Sequence, residues 1–93
     1  MPLSVKVTHN AAASRFEAEF GGRLAVCAYQ LVNGVMNLTH TEVPPSLQGR
    51  GIAAQLVCET LQWARNEGLR VRPLCSYVAA YMRRHPETQD LAT

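Results

Sequence analysis

The segment Val43-Pro44-Pro45-Ser46-Leu47-Gln48-Gly49-Arg50-Gly51-Ile52-Ala53 carries the clearest chemical signal in the chain. Pro44 and Pro45 lack backbone donors and hold the chain extended. Gly49 and Gly51 then allow backbone N–H groups to turn toward a common point. A helix that begins there adds unpaired amides and the positive end of its dipole. Together these make an anion site suited to a pyrophosphate, with Arg50 adding charge at the rim. A plain glycine-containing strand–helix turn is the alternative, because short glycine motifs recur by chance.

A second group of residues could move an acyl group or a proton. Cys75 precedes Ser76 at the expected start of the last helix. A thiol at a helix N-terminus meets the positive dipole end, which favours the thiolate. His40 lies on the strand that should neighbour the one delivering Cys75. Strands about 4.8 Å apart can bring such side chains together, and a Cys with a nearby His is a nucleophile–base arrangement. By strict alternation His40 shares a face with Met36 and Leu38, so a core histidine also fits, as a small buried hydrophobe fits Cys75. Glu42, two residues on, shares the face of His40 and could orient the imidazole or take a proton, though a solvated carboxylate fits better. Cys27 and Cys58 fall mid-element and read as structural. Tyr77 and Tyr81, four apart, share a helical face and suit core packing or ligand contact better than proton donation, though either hydroxyl could protonate a leaving thiolate. His85-Pro86-Glu87 reads as a helix terminator. Arg70, Arg72, Arg83 and Arg84 make a solvated basic patch.

The elements that must position these groups follow from hydropathic periodicity. Leu3, Val5 and Val7 alternate with polar residues, as do Phe16, Ala18 and Phe20. Period two with one polar side marks half-buried antiparallel strands. Gly21-Gly22 turns into a third strand, Arg23 to Val32. After its first residue it is apolar on both faces apart from Gln30, which predicts cover on both sides. Asn33-Gly34 is a strong hairpin signal, and a fourth strand runs from about Val35 to Val43. The period then changes. Ile52, Ala53, Leu56, Val57, Leu61 and Ala64 recur at helical spacing between Arg50 and Glu67, and Gly68 suits the helix end. A short strand, Leu69 to Leu74, leads to a second helix, Ser76 to Arg84, closed by Pro86. The fold class is therefore α+β: a four-strand antiparallel meander, a helix, a fifth strand parallel to the fourth, and a C-terminal helix. One domain spans residues 1–93, with Glu87 to Thr93 expected to be a frayed tail.

Composition removes several functional classes. The chain has 93 residues, 47% hydrophobic and 17% charged, with a net charge of +2. That suits one folded domain without metal or disulfide support and gives no electrostatic case for nucleic acid. Three scattered cysteines favour neither a disulfide framework nor a metal site. No apolar run approaches a membrane span and no leader pattern opens the chain, so a reduced, cytoplasmic setting is expected. An exposed first strand would allow a weak homodimer beside the monomer.

Gln48-Gly49-Arg50-Gly51-Ile52-Ala53 resembles the Gln/Arg-x-x-Gly-x-Gly/Ala motif of the GNAT N-acetyltransferase superfamily. His40-Thr41-Glu42-Val43 and Pro73-Leu74-Cys75 add a likeness to its small single-domain branch, the YjdJ type. The resemblance covers about Val35 to Glu87. It implies that acetyl-CoA is the co-substrate, with coenzyme A held by Gln48, Gly49, Arg50, Gly51, Ile52 and Ala53 and by the strand backbone at Thr41, Glu42 and Val43. It implies transfer of an acetyl group to an amine or thiol acceptor, with Cys75 and His40 as catalytic candidates and no metal. The shortened connection at Asn10 to Ser14, where larger members carry acceptor-binding helices, leaves an alternative: a non-catalytic acyl-CoA-binding module acting through a protein partner.

Overall fold

The computed structural model describes residues 5–93. Leu3, expected to open the first strand, lies outside them. The elements are β1 (Val7–Asn10), β2 (Arg15–Phe20), β3 (Arg23–Val32), β4 (Val35–Glu42), α1 (Ile52–Asn66), β5 (Arg70–Pro73) and α2 (Ser76–Arg84). Short 3-10 turns follow β1, β4 and α2. The five strands form one sheet in sequence order. The first four pair antiparallel, and β5 joins β4 in parallel. The α+β meander with a parallel fifth strand is therefore the observed fold.

Local chemistry explains the turns. Asn33 and Gly34 both take positive φ, 51° and 79°, as a tight two-residue hairpin demands. β1 ends at Asn10, whose carboxamide accepts from the Ala13 amide and starts a 3-10 turn.

One face of the sheet carries the core. Phe16, Cys27, Tyr29, Met36, Leu38 and Val71 meet Leu56, Val57 and Leu61 of α1 and Val78 and Met82 of α2. Both helices thus pack on this face. The opposite face corrects the expectation that β3 is covered on both sides. Leu24, Val32 and Leu74 there are 40%, 51% and 61% exposed. Val26 and Ala28 are only half-buried. The apolar run on β3 reflects an open sheet face rather than a second layer.

The frayed tail is also corrected. Pro86–Leu91 forms a 3-10 turn with Thr88 and Leu91 buried. Arg65 clamps it: Nη1 and Nη2 donate to the Asp90 carboxylate at 2.7 and 2.9 Å, and Nη2 also donates to the Glu87 carbonyl at 2.9 Å. Ala92 then bridges to Val71 beside β5. A polar stretch reads as loose, but here Leu91 and the bidentate pair anchor it. His85 and Pro86 do end α2, as expected.

Candidate active site

The site forms where β4 and β5 part. Their ladder ends at Leu38 and Pro73, and the Cys75 amide makes one further bond to the Leu38 carbonyl at 2.8 Å. Beyond it β4 runs on to Glu42 while the other chain turns into α2. Parallel neighbours that separate in this way open a slot at the strand end.

The loop after β4 lines that slot. Pro45–Leu47 makes a 3-10 turn that buries Leu47. The Gln48 carboxamide donates back to the Val43 carbonyl at 3.0 Å, bracing the loop against the strand. Gly49 and Gly51 sit at φ 78° and 79°, a left-handed conformation that a side chain with Cβ resists. Nothing lies within 4 Å of where a Cβ on Gly49 would stand. Gly51 is the N-cap of α1 and offers no side-chain cap. The first-turn amides of α1 therefore have no partner within the helix and face the loop.

These parts enclose a cleft of about 390 Å³ lined by Thr41, Val43, Leu47, Gln48, Gly49, Gly51, Ile52, Ala53 and Tyr77. Seven of the nine residues that the resemblance implies for coenzyme A line it. Two do not: Arg50 lies over the Phe20 ring, 5.9 Å from its centroid, and Glu42 points to the open sheet face. Leu47 was not anticipated; its one signal was being the apolar residue of a polar, glycine-rich loop. Tyr77 and Tyr81 separate. Tyr77 lines the cleft, its phenol pushed up by burial against the opposing Arg84 charge. Tyr81 stacks on His85 with centroids 3.9 Å apart. Burial, with Cys58 beside it, pushes the Tyr81 phenol up to about 12.

Cys75 is the N-cap of α2 and half-buried. Its thiol donates to Thr41 Oγ1 at 3.4 Å. Burial opposes ionisation, but the Thr41 hydroxyl and the Tyr77 and Val78 amides outweigh it, so the thiol lies below its ordinary pKa. No formed side-chain capping bond accompanies this; the amides act on the charge at longer range. Cys27 is fully buried and its thiol is pushed up, chiefly by that burial. Cys58 is exposed on α1.

His40 does not share the face of Met36 and Leu38. The β3–β4 register pairs Tyr29 with Leu38 but Ala28 with His40, leaving Thr39 as an extra residue. One inserted residue reverses every later side chain. His40 therefore points to the open face, its side chain 61% exposed, with Nε2 3.9 Å from Glu42 Oε2. Thr41 takes the place on the core face beside Cys75. Alternation alone could not reveal the bulge. Among the described residues no group of His, Cys, Asp or Glu is arranged to hold a metal ion, and no helix is long and apolar enough to cross a membrane.

The open β4–β5 slot, the glycine loop at a helix start and the strand order match a known architecture. A family model for the GCN5-related N-acetyltransferase domain matches residues 15–91. The chain belongs to this acetyltransferase family. Protein NATD1 of Xenopus tropicalis is 32% identical over 91 residues, covering 95% of this chain and 84% of that protein. Protein NATD1 of Homo sapiens is 32% identical over 90 residues, covering 94% and 80%. A GCN5-like protein from Staphylococcus aureus, solved in solution, superposes with a TM-score of 0.75 at 23% identity over 96% of this chain and 88% of that one. That likeness supports the fold.

Proposed function

We propose that this acetyltransferase takes its acetyl group from acetyl-CoA bound in the cleft between β4 and α2, and passes it to an amine. The observation that carries the reading is the convergence of Gly49, Gly51 and the start of α1 on the same cleft that Thr41 and Tyr77 line, next to the Cys75 thiol. The residues suit the ligand. Backbone amides at a positive helix end fit a pyrophosphate, and the β4 backbone at Thr41 to Val43, beyond the β5 ladder, fits an amide-bearing arm.

Cys75 supplies the nucleophile. Its sulfur bonds to the acetyl carbonyl carbon as the bond from that carbon to the coenzyme A sulfur breaks, and the departing thiolate takes up the proton that Cys75 gave away. An acceptor amine then bonds to the acetyl carbon, releases the Cys75 sulfur and loses its extra proton. His40 and Glu42 lie on the open face, so in this reading they serve an amine approaching from that side rather than the thiol.

The test is turnover across a panel of amines and peptides, read by mass spectrometry for wild type and Cys75→Ala. Acetylated product from wild type, with loss in Cys75→Ala, supports the covalent route. Full transfer by Cys75→Ala leaves direct attack by the amine. No product on any acceptor despite tight acetyl-CoA binding supports the binding module instead.

A further inference from the structure

The bulge in β4 has a chemical result on the core face. Thr41 Oγ1 stands between two sulfurs: it accepts from the Cys75 thiol at 3.4 Å and directs its own hydrogen toward Cys27 Sγ at 3.9 Å. A hydroxyl has one donor and two acceptor sites and rotates to suit its partners. We propose that Thr41 is the positioning residue of Cys75, its hydroxyl turning from the buried Cys27 to donate to the Cys75 sulfur when that thiol ionises. The catalytic meaning of this switch rests on the assignment of Cys75 as the acetyl carrier.

Three features make the hydroxyl a switch rather than a fixed bond. Sulfur is a weak acceptor, so the 3.9 Å contact with Cys27 is easily given up for an anion, and hydrogen bonds to charged groups are the stronger kind. Cys27 is fully buried with a raised pKa. It therefore stays a neutral thiol and does not compete as a thiolate. Among the described residues, neutral Cys27 from β3 and Tyr77, which lines the cleft from α2, are the titratable groups on this side, and the Arg84 charge acts on Tyr77 and not on Cys75; His40 and Glu42 face away. No cationic side chain is thus needed: the hydroxyl and the α2 amides stabilise the sulfur charge between them. When Cys75 attacks a thioester, its thiolate is already the species held by Thr41, and the hydroxyl returns to Cys27 once the sulfur is acylated and neutral.

Removing the hydroxyl should raise the apparent pKa of Cys75 while leaving the fold in place. The experiment is alkylation of Cys75 by iodoacetamide across pH, without any coenzyme A, followed by peptide mass analysis. Loss of one hydrogen bond to an ionised sulfur predicts about tenfold slower labelling near neutral pH in Thr41→Val, through a smaller thiolate fraction. Thr41→Ser keeps the hydroxyl and should label within about twofold of wild type. Circular dichroism confirms the fold; if Thr41→Val does not fold, Thr41→Ala serves in the same comparison. A wild-type pH profile in the folded hydroxyl-free variant overturns the proposal. So does a loss in Thr41→Ser as large as in Thr41→Val, which would mean packing rather than hydrogen bonding. Because labelling needs no acetyl-CoA, it is independent of whether acetyl transfer passes through Cys75, which Cys75→Ala turnover decides.

Discussion

Replacing Gly51 by valine should separate the strain of the loop from its use in binding. Gly51 holds φ 79° at the N-cap of α1. A β-branched residue there costs about 1–2 kcal/mol in folding stability from the left-handed backbone alone. It also places methyl groups where an anion would approach the first-turn amides. Losing one charge-assisted hydrogen bond to a phosphate costs about 2 kcal/mol, or roughly 30-fold in affinity for acetyl-CoA. Gly34 provides the control, because it also holds φ 79° and nothing lies near its Cβ position, yet it sits in the β3–β4 hairpin away from the cleft. Gly34→Val should lose comparable stability and keep its affinity. Isothermal titration with acetyl-CoA, beside thermal melts followed by circular dichroism, reads both quantities. Equal affinity losses in the two variants would refute the reasoning, as would a folded Gly51→Val that binds like wild type.

Alkylation should label Cys75 before Cys27 and, near neutral pH, before the exposed Cys58, with bound coenzyme A protecting it. The lowered Cys75 pKa means that its reactivity rises at a lower pH than that of an ordinary thiol; preferential and unprotected labelling of Cys58 would contradict this. Leu56→Ala removes a side chain with no exposed surface and should cost about 2–5 kcal/mol in denaturant unfolding. Asp90 has its pKa lowered by Arg65, so the pair contributes above the ordinary aspartate range and is lost as pH falls through the folded-state value. Protection against hydrogen exchange at residues 86–92, taken relative to the intrinsic rate at each pH, should therefore fall in acid, and in Asp90→Asn at neutral pH, with little change in the global melt.

The features legible in the sequence were local. Apolar patterns and turn signals placed β2 to β5 and both helices, and Asn33-Gly34 placed its hairpin. The glycines and prolines of residues 43–53 marked the loop, because φ preferences and missing donors are properties of single residues. What escaped depended on neighbours distant in sequence. The Thr39 bulge arises from β3–β4 register and turns His40 away from Cys75, so a strand face counted by twos fails after Leu38. The open face of β3 depends on which side α2 takes. The docking of Leu91 depends on Arg65, far away on α1.

Titration of isotope-labelled protein with acetyl-CoA, followed amide by amide in proton–nitrogen correlation spectra, tests the location of the cleft's ligand most directly. The account predicts saturable shifts concentrated at residues 48–53, with further shifts at Thr41, Val43, Cys75 and Tyr77, and quiet amides at Glu17, Glu19, Asn37 and Arg72 across the open face. Shifts confined to the open face, or none at saturating acetyl-CoA, would contradict it.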